Sequence, residues 1–188
     1  MGLFAAALLD RHPLLPIEDE GRLNDPGLRE NFSERVFAYR RLEDLFSGRW
    51  SYGQVVAFHT REKLLLSSHD QQLYHRLGRL VADGGRLPRP ASSAQYRELF
   101  MRNLSHKATV HRHTNVLQHA AGHFKRVADT GTRRELSGLI EDYRQGLVPL
   151  IVPITLIRHL VRHHGVSALA DQTYLDPRPK ELMLRNHA

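Results

Sequence analysis

Cysteine is absent from the 188 residues of the sequence. The chain alone therefore forms no disulfide, supplies no thiolate to zinc or to an iron–sulfur cluster, and has no cysteine nucleophile. The sequence also lacks Gly-x-Ser-x-Gly, a P-loop and Gly-x-Gly-x-x-Gly. These are the standard fingerprints of hydrolases, nucleotide-binding and dinucleotide-binding proteins. An enzyme built from this chain would have to use histidine, lysine, tyrosine and carboxylates.

Long hydrophobic runs are also missing. The most apolar stretch, residues 147–157, is interrupted by Pro149, Pro153 and Thr155, and it is shorter than the roughly 20 residues that cross a bilayer. The first ten residues have no basic segment and only a short apolar run, which does not match a secretory signal. We expect a soluble, cytoplasmic protein without a membrane partner.

Charge is plentiful and unevenly placed. The chain has 27 basic and 20 acidic residues, a net charge of +7 with its 13 histidines neutral, and a pI near 10.1. Residues 1–27 hold five acidic and two basic residues, whereas residues 61–126 hold twelve basic and four acidic ones. Such a basic region favours polyanionic partners, among which nucleic acid is the leading class.

Helix signals recur along the chain, and no alternating strand pattern competes with them. An Asx cap before Pro26 predicts a helix over residues 28–46, and the capping box of Ser51 with Gln54 predicts a second helix towards Leu80, bent near Ser67 and Ser68. Three further helices are predicted: one capped by Ser92 over residues 96–127, long or broken once; one capped by Thr132 and ending near Gly146; and one stopping at Gly165. The fold class is all-α: a single helical bundle of about five main helices with short C-terminal helices.

Polar side chains occupy the apolar faces of the second and third predicted helices. At 100° per residue these faces contain or border His59, Glu62, Lys63, His69, Asn103, Lys107, Thr114, Gln118 and Lys125. An unsatisfied buried polar group costs about 1–3 kcal/mol. Each of these residues could be a paired core residue or extend to the rim, but the set as a whole favours a cleft between the two helices.

Metal and catalytic chemistry are less well supported. His159 and His163 share a helix face at i, i+4, but the glutamate of a His-Glu-x-x-His site is missing. We expect no metal and no cofactor. A general base, His59 or His119, could act with Lys63, Lys107 or Lys125 on an oxyanion or phosphate, although nothing in the spacing requires it.

Several segments together resemble the YbgA-like family, over roughly residues 45–187. They are residues 58–63 (FHTREK), 74–78 (YHRLG), 115–119 (NVLQH), 143–156 (YRQGLVPLIVPITL) and 172–187 (QTYLDPRPKELMLRNH). The last two are the most specific. Two positions depart from the family pattern, where tyrosine is common in place of His123 and histidine in place of Arg178.

The resemblance implies a domain that occurs alone or joined to a TudS-type desulfidase domain. Residues 2–4, 13–23, 29–32 and 34–38 resemble the end of the desulfidase half and its junction, so we expect a remnant and connecting helix in 1–44 and the YbgA-like domain in 45–188. In two-domain relatives, the desulfidase half holds a cysteine-ligated iron–sulfur cluster and removes sulfur from thiolated uracil, in some cases 4-thiouridine in tRNA. The YbgA-like half is implied to contribute RNA recognition.

The leading hypothesis is an RNA-binding domain, with tRNA as the expected ligand, that is accessory to a desulfidase. Two alternatives stay open: an enzyme acting on a nucleotide or RNA through His59, Lys63, His119 and Tyr143, and an oligomerisation module built on the apolar residues 147–160. The candidate RNA-binding residues are His59, Arg61, Lys63, His69, Lys107, Asn115, Gln118, His119, Lys125, Tyr143, Arg185, Asn186 and His187.

Overall fold

Helices make up the regular structure of the computed structural model, which describes residues 3–84, 86–177 and 179. Across these residues there is no strand, so the all-α prediction is confirmed. The α-helices are α1 (Leu3–Arg11), α2 (Pro26–Phe46), α3 (Tyr52–His69), α4 (Gln71–Ala82), α5 (Arg89–Ser105), α6 (Val110–Gly122), α7 (Thr130–Arg144), α8 (Ile151–His164) and α9 (Ser167–Ala170). Short 3₁₀ turns span Gly21–Asn24 and Thr173–Leu175. None of the described helices is both long and apolar enough to traverse a lipid bilayer.

Two of the predicted helix starts follow from local capping. The Asp25 carboxylate accepts a hydrogen bond from the Leu28 amide at 2.8 Å, and Pro26 takes the first helical position of α2. At the start of α3, Ser51 Oγ accepts from the Gln54 amide at 3.3 Å while Gln54 Oε1 accepts from the Ser51 amide at 2.7 Å. The capping box is therefore confirmed, because both of its hydrogen bonds form.

The second predicted helix is two helices, α3 and α4, and it breaks at Asp70 rather than at the serines. Ser68 is helical, and its buried hydroxyl is satisfied because it donates to the Leu65 carbonyl at 2.7 Å. Asp70 is extended, with φ −149°, and its carboxylate accepts from the Leu73 amide at 2.8 Å. One residue thus ends α3 and caps α4.

The third predicted helix is also two helices, α5 and α6, separated by residues 106–109. It begins at Arg89, before the predicted cap Ser92, because Pro90 is tolerated in a first turn that needs no amide donor. Thr109 caps α6 by accepting from the Arg112 amide at 3.3 Å, and α6 ends at Gly122 rather than near Val127.

The last two predicted helices correspond to α7 and α8. The cap of α7 is Asp129 and not Thr132, since the Asp129 carboxylate accepts from the Thr132 amide at 3.0 Å. Pro153 lies in the first turn of α8, where its missing amide leaves no bond unmade. Gly165 ends α8 with φ 63°, a left-handed conformation that favours glycine.

The centre of the fold is α3, which contacts α2, α4, α5, α6 and the Thr173–Leu175 turn. Its Phe58, Leu65 and Leu66 are almost completely buried. The helix α2 adds Ala38 and Leu42 to this core, although it lies mostly before the predicted boundary at residue 44; that boundary stays a prediction. In the apolar segment before and within α8, the side chains of Leu150, Ile154 and Ile157 are also buried in the core.

Candidate nucleic-acid interface

His59 lies in the packed interface of α3, α4 and α5. Its Nδ1 is 3.3 Å from the Tyr96 hydroxyl, and its ring stacks on Tyr74 with centroids 5.9 Å apart. Burial lowers the pKa of His59 below its ordinary 6.5, so the neutral ring is favoured. This residue has the partners of a core histidine, and it does not line any of the pockets described below.

His69, Lys107 and Tyr143 come together at a pocket of about 260 Å³ between α2, α6 and α7. His69 is fully buried: its Nδ1 lies 2.7 Å from the His106 carbonyl oxygen, and its Nε2 lies 3.2 Å from Glu34 Oε2. Because a carbonyl only accepts, Nδ1 carries a proton and donates it. Lys107 Nζ sits at the rim of this pocket, 3.6 Å from Asp25.

Gln118 and Lys125 meet at a different pocket, of about 350 Å³, between α6 and α7. Arg133, Ser137 and Glu141 line it as well. The Arg144 guanidinium and the Gln145 amide both donate to Glu141 and lower its pKa to about 2. This pocket therefore combines two cations with an ionised, already paired carboxylate.

The other predicted residues lie outside these two pockets. Burial lowers the pKa of His123, and the nearby charges of His119 and Lys63 lower it further. Asn115 and Arg61 are exposed; the Asn115 amide donates to His111 Nε2 at 3.3 Å, and the Arg61 guanidinium is 5.9 Å from the centre of the Phe58 ring. The predicted residues Arg185, Asn186 and His187 lie outside the described residues.

A third pocket, of about 410 Å³, lies between α4 and α5 and contains none of the candidate RNA-binding residues predicted from the sequence. Arg76 and Arg79 of α4 and Arg86 of the following loop line it, together with Ser92 and Gln95 of α5. We call it the arginine pocket. The signal in the sequence was the pair of arginines at i, i+3, followed after two glycines by Arg86 and by Arg89, the first residue of α5. Helical periodicity does not indicate this pocket, because Arg76, Arg79 and Arg86 are exposed and do not lie on apolar helix faces.

Aromatic side chains border the arginine pocket. The Tyr52 hydroxyl donates to the Leu87 carbonyl at 3.1 Å, and the Arg89 guanidinium lies over the Trp50 ring, 5.5 Å from its centre. A Cβ added at Gly84 would come within 3.2 Å of Tyr52 Cδ1. The loop that carries Arg86 is thus held against Tyr52, and Arg89 at the start of α5 lies against Trp50.

The basic region as a whole faces solvent. Nine of the twelve lysines and arginines in residues 61–126 are exposed. The structure describes no group of three or more histidine and carboxylate side chains arranged to hold a metal ion within residues 3–84, 86–177 and 179. The rings of His159 and His163 stack in parallel on α8, 5.8 Å apart.

Comparisons with known proteins identify the family. The sequence profile of the family described as "Protein of unknown function (DUF1722)" matches residues 63–179. The "Uncharacterized protein YbgA" of Escherichia coli (strain K12) is 34% identical over 153 residues, which cover 81% of this chain and 90% of that protein. No solved structure matches the chain. Because the match spans most of both chains, this protein belongs to the DUF1722 family, the YbgA-like proteins.

Proposed function

We propose that this protein is a cytoplasmic RNA-binding domain, with tRNA as its expected ligand, and that it is accessory to a TudS-type desulfidase. The arginine pocket is the observation that carries the RNA-binding part. The accessory role rests on the resemblance of the sequence to two-domain relatives. Because the chain has no cysteine, the iron–sulfur chemistry of sulfur removal would belong to the partner domain.

The arginine pocket has the chemistry of a phosphate site. A guanidinium presents a fork of donors that matches two phosphate oxygens, and arginine is favoured wherever phosphate is recognised in this way. Asp83 is the acidic residue among the lining residues, and it pairs with Arg86 at 3.2 Å. Among the described residues, Arg76 and Arg79 have no ion-pair partner. Two guanidinium groups are therefore available to an incoming phosphate.

Salt dependence separates this proposal from nonspecific association of a basic protein. Each phosphate contact releases counterions and adds about 0.7–0.9 to the slope of log affinity against log salt. The Arg76→Ala/Arg79→Ala double variant should therefore bind tRNA more weakly and lower that slope by about 1.4–1.8. An Arg29→Ala/Arg134→Ala variant is the matched control, since it removes the same charge from exposed positions of α2 and α7 that have no ion-pair partner among the described residues.

Filter binding of tRNA and of duplex DNA at two salt concentrations measures the affinity and the slope of log affinity against log salt. Equal affinity and equal slope for the pocket variant and the control variant would refute the arginine pocket as the RNA site. Lys63→Ala and Lys125→Ala are also expected to weaken tRNA binding. Unchanged binding in both would remove those two lysines from the interface.

One observation supports the alternative of an enzyme. Buried polar side chains converge on the pocket that contains His69 and Lys107, and such convergence is typical of sites that bind small molecules. The residues first grouped for this hypothesis are dispersed, because His59 lies between α3, α4 and α5 while Tyr143 lines the pocket near α7. Turnover of thiolated or phosphorylated nucleosides that is lost in Lys107→Ala would support the enzyme; turnover that requires a desulfidase partner would refute it.

A further inference from the structure

We propose that an unpaired nucleotide of the RNA stacks on the Arg89 guanidinium where it covers the Trp50 ring, with Tyr52 packed edge-on against Trp50, so that the domain selects single-stranded or looped RNA over duplex. This inference rests on the proposed RNA binding and extends it to the conformation of the ligand. We call these three side chains the aromatic shelf. Trp50 precedes the cap Ser51 of α3, Tyr52 is the first residue of α3, and Arg89 is the first residue of α5.

The rings of the aromatic shelf are held in fixed orientations. Trp50 makes edge-to-face contacts with Phe46 and Tyr52, with centroids 5.3 and 5.4 Å apart. The Tyr52 hydroxyl is bound to the Leu87 carbonyl. Trp50 and Tyr52 are nevertheless partly exposed. A rigid, partly exposed aromatic surface loses little entropy when a planar base stacks on it.

Arg89 extends the stacking surface. Its guanidinium lies over the Trp50 ring, and Arg97 lies in the same way over Phe46, 5.1 Å from the ring centre. Arg97 is held by Glu43 at 2.7 Å, whereas no described carboxylate pairs with Arg89. Nucleic-acid bases stack on arginine planes as they do on aromatic rings, so Arg89 can serve as the upper layer of the shelf.

The aromatic shelf and the arginine pocket are parts of one surface. Leu80 and Ser92 line both the arginine pocket and the narrow crevice beneath Trp50 and Tyr52. The loop between α4 and α5 supplies Arg86 to the pocket, and the first residue of α5, Arg89, belongs to the shelf. A strand whose phosphate binds in the pocket therefore has a stacking surface beside it.

The combination favours an unpaired strand. In a duplex both faces of each base are covered by neighbouring pairs, so a protein ring gains access only after the base is unstacked. Stacking of one base on an aromatic side chain contributes about five- to 150-fold in affinity, and it tolerates any base. The expected preference is thus for unpaired RNA of any sequence.

Trp50 is the only tryptophan of the chain, so intrinsic fluorescence reports on the shelf directly. The full chain is titrated with a ten-nucleotide oligouridylate, with a ten-base-pair RNA duplex and with polyglutamate. We expect the oligouridylate to quench the Trp50 emission and to bind at least fivefold more tightly than the duplex. Trp50→Ala should weaken oligouridylate binding at least fivefold, with a smaller loss for Trp50→Phe and little change in duplex binding.

Phe37→Ala removes another partly exposed aromatic side chain, from α2, and serves as the matched control. Circular dichroism verifies that each variant is folded, and Trp50→Phe keeps the test valid if Trp50→Ala unfolds. Oligouridylate binding without quenching, or Trp50 variants that bind like Phe37→Ala, would overturn the shelf while leaving RNA binding intact. Equal quenching by polyglutamate would overturn it as well. Absence of binding to every RNA would instead refute the proposed function itself.

Discussion

Replacement of Arg41 by methionine should strongly destabilise the fold, because it leaves a carboxylate buried without its charged partner. Glu62 is completely buried on α3. The Arg41 guanidinium from α2 binds both of its oxygens, with Nε to Oε1 at 2.8 Å and Nη2 to Oε2 at 3.1 Å. The Thr173 hydroxyl donates to Oε1 at 3.0 Å, and Arg41 Nη1 also donates to the Pro177 carbonyl at 3.0 Å.

The size of the effect follows from what remains after the change. In Arg41→Met, Glu62 keeps the hydrogen bond from the Thr173 hydroxyl but loses both bonds from Arg41. The Pro177 carbonyl also loses the hydrogen bond that Arg41 donates to it. Breaking a buried ion pair by removing one partner costs about 3–5 kcal/mol. That is a large fraction of the roughly 5–15 kcal/mol by which native domains are stable. Replacing both partners by methionine removes the buried charge as well, so Arg41→Met/Glu62→Met should recover about 2 kcal/mol or more.

Urea unfolding at pH 7, followed by circular dichroism, measures the free energies of unfolding of the wild type, Arg41→Met and Arg41→Met/Glu62→Met. Arg41→Lys is the control for charge alone, since lysine keeps the positive charge but lacks the two-pronged donor geometry. We expect the free energy of unfolding of Arg41→Lys to lie between those of the wild type and Arg41→Met. A cost below about 1 kcal/mol for Arg41→Met, or a double variant less stable than Arg41→Met, would refute the reasoning that desolvation of Glu62 dominates.

Three further outcomes can be measured by the same unfolding assay. Gly165→Ala should lower the free energy of unfolding by about 1 kcal/mol, because alanine is strained at the φ of 63°. Gly138→Ala, in open space within α7, should raise the free energy of unfolding by about 0.5–1 kcal/mol, and equal effects of the two substitutions would contradict this reasoning. The pKa of Glu141 is lowered to about 2, so the stability that this carboxylate contributes is complete above pH 4.5 and is lost towards pH 2. Glu141→Gln should flatten the dependence of stability on pH in this range, and an unchanged slope would exclude a contribution from Glu141. Because burial lowers the pKa of His59, stability should fall as the pH drops below 6.5, and His59→Phe should reduce this fall; an identical pH profile would count against it.

Local signals in the sequence predicted the helices well where the stabilising bonds are themselves local. The capping box of Ser51 and Gln54 and the terminator Gly165 act within a single turn, so their residue types suffice. The breaks at Asp70 and at residues 106–109 were harder to predict. No glycine or proline marks either break in the sequence, and long-range contacts such as the Asn103 amide donating to the Asp70 carbonyl at 2.7 Å help to hold the junctions.

The sequence by itself determined the all-α class, the absence of cysteine chemistry, the family and the concentration of positive charge in residues 61–126, because composition, capping and helical periodicity are properties of short segments. Tertiary structure decided which polar residues meet. It placed Arg41 against Glu62, 21 positions away, and separated His59 from Tyr143. It also gathered Arg76, Arg79 and Arg86 beside Trp50, since the packing of α4 against α5 sets that neighbourhood, and one-dimensional periodicity carries no information about which helix faces another.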